Sequence, residues 1–362
     1  MTPSLDLTVR LLCEDDLPAV LALLQDTFGT WPDVPTSAEP IDHLRWKLGD
    51  GRPGESYHFV AELDGRIIAF QMNLMWRAKV GDRELRVLRG WDSAVHPDYQ
   101  GQGVMSVMRP QMNAFFATNS DFFLGGSDHP ATPRLHARGN EVRRDFGHNW
   151  TVYIRPMSLR AAFRTFKLRP ERAPGKLPTS LAAFARWLAF GARQARERSA
   201  CSIATVTRFD ERIDAFCDVA SQQFDFIIVR NKGLLNWRYN RRAGDFTIRI
   251  ATAGERVVGY SVLRVAHGKG HIADLLALPG RLDVVRALAN DAAAQLRGVP
   301  AIECWLFGNH PYAATLDSCG FLGRRHRRQL TYEAVAVPAS DLAPLSARSS
   351  VAHLSVGDID IV

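Results

Sequence analysis

The sequence predicts an α+β protein made of two copies of one fold, each a twisted, mostly antiparallel mixed sheet flanked by helices. Three observations predict this class. The chain has 362 residues. This is longer than a domain with a single hydrophobic core usually is, and it is a typical length for two domains. Strand and helix patterns in the first half follow the order βα(α)βββαβαβ, which combines hairpins with crossover helices. An ordered series of short matches then repeats the first half in the second.

Apolar patterning and turn residues define the elements of the first half. Asp15 and Asp16 stand where an N-cap is expected before the first helix. Asp64-Gly65, between two apolar runs, predicts a type I′ hairpin turn. The predicted elements are a strand at 7–12, a helix to about 27, a short helix at 41–48, strands at 58–63, 67–76 and 83–95, a helix from about 102 to 118, a buried strand at 122–124, a helix at 133–138 and a last strand at 151–155.

The segment 158–200 is basic and contains an amphipathic stretch at 180–198. Apolar and basic side chains fall on different helical faces, with Leu181, Phe184 and Leu188 on one and Arg186, Arg193 and Arg196 on another. We interpret it as a linker helix that packs on a domain. The alternative is a helix lying on an anionic bilayer surface, which would give the protein a peripheral membrane contact.

The internal repeat sets the domain organisation. The matches run in the same order, at offsets that fall only from 191 to 181: Leu44-Arg45-Trp46-Lys47 returns as Leu235-Asn236-Trp237-Arg238, residues 66–70 as 256–260, Asp92 as Asp274, and His129-Pro130 as His310-Pro311. Such an ordered series over about a hundred residues predicts two copies of one fold. We therefore place a first domain at 1–157, the linker at 158–200, a second domain at 201–335 and a tail at 336–362.

Composition narrows the class of protein. The chain is 46% apolar and 23% charged, which excludes a disordered or fibrous protein. The net charge of +7 is compatible with an anionic partner, but 39 of the 45 basic residues are arginines spread along the chain, so we expect no nucleic acid. Five scattered cysteines, no CxxC pair, no signal-peptide pattern and no long apolar run predict reduced thiols in a cytoplasmic protein without a metal site.

The most informative segment runs from residue 94 to residue 105. A strand ends at His96-Pro97, a loop with Gly101 and Gly103 follows, and an apolar helix begins inside the loop. Glycines let successive N–H groups turn toward one point, where a helix N-terminus adds partial positive charge, so the segment predicts a pyrophosphate pocket. It is neither a Walker loop nor a Rossmann fingerprint, because GK[ST] and GxGxxG are absent.

This segment resembles motif A of the GNAT acyltransferases, (Q/R)-x-x-G-x-(G/A). Gln100 and Gly103 stand at the first two fixed positions, and the preceding Val-His-Pro-Asp-Tyr is also typical of that family. Met105 replaces the usual Gly or Ala, and Pro110 inside the helix predicts a kink. The element order is that of the family. The resemblance covers residues 7–156 strongly and 201–333 more weakly, and 236–239 with 357–360 resemble a bacterial tandem-GNAT group often linked to surface-polysaccharide genes.

The resemblance implies an N-acyltransferase, in which an acceptor amine attacks the thioester of acetyl-coenzyme A or another acyl-coenzyme A directly. The pyrophosphate would bind the segment formed by Gln100, Gly101, Gln102, Gly103, Val104 and Met105, and the pantetheine arm would pair with Ala94 and Val95. The acceptor would be a small-molecule amine, with an amino sugar or surface-polysaccharide precursor as one option. The alternative is a non-catalytic acyl-coenzyme A-binding or scaffold protein. Acyl length and oligomeric state stay open.

Candidate catalytic residues are fewer than the candidate coenzyme A-binding residues. Asp92, on the strand before the loop, would deprotonate the amine or hold its ammonium form, but Asp274 at the matching place in the second copy equally favours a structural role. His136 is a second candidate, beside Leu135, which stands where the family usually has an acidic tyrosine. His129-Pro130 is more consistent with a helix entry shared with His310-Pro311.

Two further expectations concern the end of the chain and the second copy. Asp358 and Asp360 could reach a site, although a disordered acidic end is the alternative. At the constant offset, Asp283 and Val285 replace Gly101 and Gly103, so the second copy is predicted not to bind coenzyme A.

Overall fold

A computed structural model describes residues 6–33, 36–127, 144–158, 160–162, 201–240, 245–326 and 328–359. The chain divides into two compact units. The first consists of Met1–Phe146 and Gln329–Ala347, and the second of Gly147–Arg328 and Arg348–Val362. Each unit is built on a mixed sheet flanked by helices, which confirms the predicted α+β class.

Among the described residues, the first unit has seven strands, numbered in chain order with those of the second: β1 (Thr8–Leu11), β2 (Phe59–Leu63), β3 (Arg66–Val80), β4 (Arg83–Val95), β5 (Phe122–Ser127), β6 (Arg144–Asp145) and β15 (Gln329–Ala334). They lie in the order β1-β2-β3-β4-β5-β15-β6. The neighbours are antiparallel except β4 and β5, which are parallel. The turn between β2 and β3 is the predicted one, because Asp64 and Gly65 both have positive φ, at 50° and 77°, as a type I′ turn requires.

Helices cover both faces of this sheet. They are α1 (Leu17–Phe28), α2 (Pro40–Lys47), α3 (Val104–Asn119) and, near the end of the chain, the short α8 (Ala343–Ser346). The apolar sides of α1 and α2 pack on Phe70 and Met72, whereas α3 packs on Ala69 and Met75. Strand side chains alternate between faces, and this alternation separates the two cores. Pro110 lies inside α3, which continues on both sides of it.

The predicted cap of α1 differs in detail. Asp16 precedes the helix in a short turn, and its carboxylate accepts hydrogen bonds from the Cys13 N–H at 2.8 Å and from Arg10 at 2.7 Å. The hydrogen bonds from Arg10 hold the pKa of Asp16 well below its usual range. Asp16 therefore fixes the entry to α1 through the preceding turn rather than by capping the helix N–H groups.

Within its described part, the second unit repeats this arrangement. Its strands are β7 (Trp150–Pro156), β8 (Ser202–Val206), β9 (Phe226–Ile228), β10 (Thr247–Ala253), β11 (Arg256–Ala266), β12 (Lys269–Ala277), β13 (Ala301–Phe307), β14 (Leu322–Arg325) and β16 (Ala352–His353). Seven form a sheet in the order β8-β10-β11-β12-β13-β7-β14, and β9 pairs with β16. The parallel neighbours, β12 and β13, occupy the places that β4 and β5 have in the first sheet.

The sixth strand of each sheet comes from the other half of the chain. The predicted strand at 151–155 exists as β7, but it pairs with β13 in the second unit, whereas β15 pairs with β5 in the first. The structural division thus differs from the boundaries predicted at 157 and 335. Apolar alternation identifies a strand but not its partner, because pairing depends on which free sheet edge the chain reaches.

The helices of the second unit are α4 (Arg212–Ser221), α5 (Lys232–Tyr239), α6 (Leu282–Gln295) and α7 (Ala313–Ser318). The predicted helix at 133–138 and the amphipathic stretch at 180–198 lie outside the described residues. None of the helices in the described parts of the chain is long and apolar enough to cross a bilayer.

Candidate active site

The parallel strands of the first unit separate after a short paired stretch. β4 pairs with β5 only where Val87–Arg89 faces Phe122–Leu124. Beyond it, residues 90–95 of β4 remain paired with β3, while residues 125–127 of β5 pair with β15. We call the opening between these two segments the fork. It leaves one edge of β4 without a strand neighbour in the described structure.

The glycine loop lies at the open end of the fork. Gly101 and Gly103 adopt positive φ, at 76° and 84°, and α3 begins immediately afterwards at Val104. The N–H groups of Gly101, Gly103, Val104 and Met105 have no acceptor among the residues that the structure describes, and residues 101–103 are exposed. Free N–H groups at a helix N-terminus favour an anion, and the loop therefore has the local geometry of a phosphate site.

Two glutamines brace this loop through their side chains. Gln100 Nε2 donates to the Val95 carbonyl at 3.0 Å, and Gln102 Nε2 donates to the Asp98 carbonyl at 2.6 Å. We therefore expect Gln100 and Gln102 to contribute to the site by fixing the shape of the loop. Met105 is half-buried against the core beside α3, and its N–H has no acceptor among the described residues.

Ala94 and Val95 differ in what their backbones present to the fork. The His96 N–H donates to the Ile68 carbonyl of β3. Because backbone groups alternate in direction along a strand, Ala94 also points its N–H and C=O toward β3, whereas Val95 points them into the fork. Of the two residues predicted to pair with a pantetheine arm, only Val95 directs its backbone into the fork, and there its carbonyl already accepts from Gln100 Nε2, so its N–H is the group that faces an arm. Ala94 instead contributes its buried methyl group to the core.

Asp92 lies at a bulge on β4. Asp92 and Ser93 stand opposite the single residue Gln71, and Asp92 has a φ of 36°. Its Oδ2 accepts from the Trp31 indole at 3.0 Å and pairs with Lys47 Nζ at 2.6 Å. The Asp92 side chain is 23% exposed, so the carboxylate is held in place but remains open to a substrate.

Asp274 in the second unit is enclosed. It is 1% exposed and bonds to Arg230 at 3.0 Å and to the Tyr260 hydroxyl at 2.8 Å. Burial alone would raise the pKa of Asp274, but Arg230 and His353 outweigh burial and hold that pKa well below its usual range. Asp92 and Asp274 thus share a carboxylate–cation pairing near a strand bulge, and only Asp92 is accessible.

Asp358, expected near the end of the chain, belongs to the same buried network. It accepts from Arg230 Nη2 at 2.7 Å and from the Ser355 N–H at 2.8 Å. Asp360 lies outside the described residues. Asp358 is therefore a structural anchor of the second unit. From the sequence we expected either a group that reaches a site or part of a disordered acidic end, and Asp358 is neither.

A pair of buried histidines adjoins this network. His310 Nε2 and His353 Nδ1 are 2.8 Å apart, and burial lowers the pKa of both imidazoles, so they are neutral at pH 7. His310 Nδ1 also accepts from the Tyr312 N–H at 3.2 Å, just before α7. The helix-entry role predicted for His310-Pro311 fits this contact, whereas its counterpart His129-Pro130 lies outside the described residues.

The second unit has no accessible fork in its described part. The Tyr312 hydroxyl bonds to both the N–H and the carbonyl of Ala277, at 3.0 and 3.2 Å, at the place where the Val95 N–H faces the fork in the first unit. The turn Val356–Asp358 contacts both β12 and β13. A Cβ at Gly357 would lie 2.9 Å from the Ala273 carbonyl, so this turn packs tightly where the two strands separate. The protein's own chain fills the space.

The predicted match of the glycine loop is wrong in register. Asp283 and Val285 lie inside α6 rather than in a loop. Eight residues, 96–103, connect β4 to α3, whereas four, 278–281, connect β12 to α6. A constant offset cannot follow this length difference. Asp283 pairs with Arg281 and Val285 is fully buried, so the second unit lacks the anion loop altogether.

Several relevant residues were not identified from the sequence. Lys47 and Trp31 hold Asp92, and Tyr312 closes the second fork. The sequence did mark Lys47, because it is the last residue of the repeated segment Leu-Arg-Trp-Lys. It also marked Tyr312, because the residue after His-Pro is a tyrosine in the second copy and Ala131 in the first. The candidate His136 and Leu135 lie outside the described residues. Among the described residues no three His, Cys, Asp or Glu side chains are grouped as a metal site requires.

Comparisons with known proteins identify a similar family and similar folds. Residues 17–108 match the acetyltransferase (GNAT) family. A probable N-acyltransferase of unknown function from Enterococcus faecalis V583 superposes with a TM-score of 0.65 at 13% identity, covering 91% of this chain and 73% of its own. A GCN5-related N-acetyltransferase from Kribbella flavida gives 0.59 at 13% identity, with 92% and 72% covered. No curated protein sequence matches the chain.

A third similar structure carries a donor. It is the N-myristoyltransferase of Saccharomyces cerevisiae with bound myristoyl-CoA and inhibitors, with a TM-score of 0.58 at 10% identity, covering 92% of this chain and 81% of its own. At these identities the structures establish the fold. Together with the family match, they confirm the predicted resemblance to GNAT acetyltransferases and the acyltransferase class of enzyme that it implies.

Proposed function

We propose that the first unit is an N-acyltransferase that takes one acyl-coenzyme A and transfers its acyl group to the amine of a small molecule. The observation that carries this proposal is the placement of three features along one strand and the loop that follows it. Asp92 precedes Val95, whose N–H faces the fork, by three residues, and the N–H groups of the glycine loop follow. A phosphate, an extended amide arm and a reacting amine would meet these features in that order.

The proposed reaction needs few groups from the protein. The amine nitrogen attacks the thioester carbonyl carbon, the C–S bond breaks, and coenzyme A leaves as the thiolate, which takes up a proton. The amine proton passes to Asp92, whose carboxylate Trp31 and Lys47 hold in place. Lys47 also competes with an ammonium substrate for this carboxylate, so Asp92 is better suited to accept a proton from a neutral amine than to bind a cation.

The second unit would take no donor. Tyr312 and the turn Val356–Asp358 occupy its fork, and the loop before α6 has four residues where the loop before α3 has eight. The five cysteines are free, which supports the predicted reducing, cytoplasmic setting. The acceptor class rests on the resemblance alone: an amino sugar or a surface-polysaccharide precursor is the first compound to test, followed by amino acids, polyamines and peptides.

Calorimetric titration of the full chain with acetyl-coenzyme A tests the proposal. We expect one donor per chain, and release of free thiol when the correct amine is added. Binding without thiol release from any amine in the panel would favour the non-catalytic acyl-coenzyme A-binding alternative. A titration with neither heat nor a thermal shift would refute donor binding and favour the scaffold alternative.

Replacing Asp92 tests the proposed base. Asp92→Asn keeps the shape of the side chain and removes its proton-accepting charge, so kcat should fall about 100-fold or more. The dissociation constant of acetyl-coenzyme A should change less than about twofold, because the Asp92 carboxylate bonds to Trp31 and Lys47, which lie outside the phosphate loop. Asp26→Asn, at an exposed position on α1, is the matched control and should leave kcat unchanged. Equal kcat values for the two variants would remove Asp92 from the mechanism.

A further inference from the structure

The base of the fork contains an arrangement that sheet pairing alone does not require. Arg89 and Leu124 form the last pair between β4 and β5, and the next residue on each strand is a glycine, Gly90 and Gly125. The ring of Phe123 lies against both. A Cβ at Gly90 would lie 3.5 Å from the Phe123 ring, and one at Gly125 would lie 2.8 Å from it. Phe123 therefore spans the point where the strands separate, in space that two absent side chains leave for it.

Polar side chains stand beside this ring. Gln71 and Asn73 on β3 are 8% and 1% exposed. Gln71 Oε1 accepts from the Ser93 hydroxyl at 2.5 Å, and Gln71 Nε2 donates to the Met72 carbonyl at 3.0 Å. The same Nε2 lies 3.0 Å from the Cβ position at Gly90. The space next to Gly90 is thus bounded by an aromatic ring and by an amide whose hydrogen bonds are already made.

The position of this space relates it to the proposed reaction. Asp92 is two residues from Gly90, which is about 7 Å along a strand. A thioester that reacts beside Asp92, with its arm directed toward Val95 and the loop, directs its acyl group the other way, toward Gly90 and Phe123. A short acyl group would end before it reached the ring, whereas a long alkyl chain would have to displace Phe123 or lie against the Gln71 amide, which costs free energy.

We infer that Phe123, supported by Gln71, forms the end wall of the acyl site and restricts the donor to short acyl groups such as acetyl. The inference rests on the proposed function, because it assigns the acyl end of the same site. It makes Phe123 a specificity-determining residue. Gly90 and Gly125 have an indirect role, since they leave the space that lets the ring lie across the fork.

A chain-length series tests the role of Phe123. Dissociation constants are measured for acetyl-, butyryl- and octanoyl-coenzyme A with the full-length protein. We expect the wild-type protein to bind acetyl-coenzyme A at least about tenfold more tightly than octanoyl-coenzyme A. Phe123→Ala should remove most of that difference by strengthening octanoyl binding, while acetyl binding changes less than about threefold. Phe123→Leu, which retains more buried apolar volume, should give an intermediate ratio and covers the case in which the alanine variant does not fold.

Phe115→Ala provides the matched control. Phe115, on α3, is half-buried like Phe123, but it contacts Tyr57 and Phe59 rather than the fork, so the acetyl-to-octanoyl ratio should not change. An unchanged ratio in folded Phe123→Ala or Phe123→Leu would overturn the inference and leave the proposed function standing. Failure of the wild-type protein to bind any of the three donors would instead refute the proposed function.

Discussion

Gly103→Asp should weaken acetyl-coenzyme A binding by at least about 100-fold. Gly103 has a φ of 84° and a Cβ there would meet nothing within 4 Å, so the variant can fold with only the modest strain of a left-handed aspartate. Its carboxylate would lie at the N-terminus of α3, where the donor's pyrophosphate is proposed to bind. Two like charges about 4 Å apart near a protein surface repel by about 4 kcal/mol, more than a 100-fold loss requires. Calorimetric titration measures it.

Two further variants separate charge from backbone strain. Gly103→Asn has the same shape without the charge and should lose only several-fold in affinity. Gly280→Asp places aspartate at a matching position in the second unit, just before α6, where φ is 73° and nothing lies within 4 Å. It should not alter donor binding. If Gly280→Asp weakened binding as much as Gly103→Asp, the donor would not be confined to the first unit.

Local signals in the sequence were sufficient for the elements themselves. Asp64-Gly65 specifies its turn through residues that tolerate positive φ, and the loop at 101–103 carries its conformation in its own glycines. Such features depend on neighbouring residues along the chain. Element order and motif spacing therefore identified the α+β class and the GNAT resemblance, which the family match over residues 17–108 confirms.

Contacts between distant residues could not be obtained in the same way. The exchange of β7 and β15 depends on which sheet edge each strand reaches, and the pairing of Asp92 with Lys47 joins residues 45 positions apart. Asp283 and Val285 were misplaced because a shortened loop shifts the register without leaving a gap signal in a single sequence. The anion-binding loop was predictable because its residues are neighbours in the sequence. The contacts of Asp92 were not, because they join residues that only the folded sheet and helices bring together.

Arg230→Met should destabilise the second unit more than any exposed substitution. Arg230 is 2% exposed and pairs with Asp274 at 3.0 Å and Asp358 at 2.7 Å. Burial alone would lower the pKa of the guanidinium, but the two carboxylates raise it, so Arg230 is charged. Methionine fills similar volume and leaves both carboxylates buried without their cation, which costs about 3–5 kcal/mol. For a unit of this size, that lowers the thermal midpoint by roughly 10 °C.

Matched variants show whether the buried charge is the cause. Arg212→Met removes an exposed arginine, about half accessible beside Asp210, and should change the free energy of unfolding by less than about 0.5 kcal/mol. Adding Asp274→Asn and Asp358→Asn to Arg230→Met should recover part of the loss, because neutral amides are less costly to bury than unpaired carboxylates. If Arg230→Met melted like Arg212→Met, the network would not anchor the turn Val356–Asp358, and the second fork would have to be kept closed by Tyr312 alone.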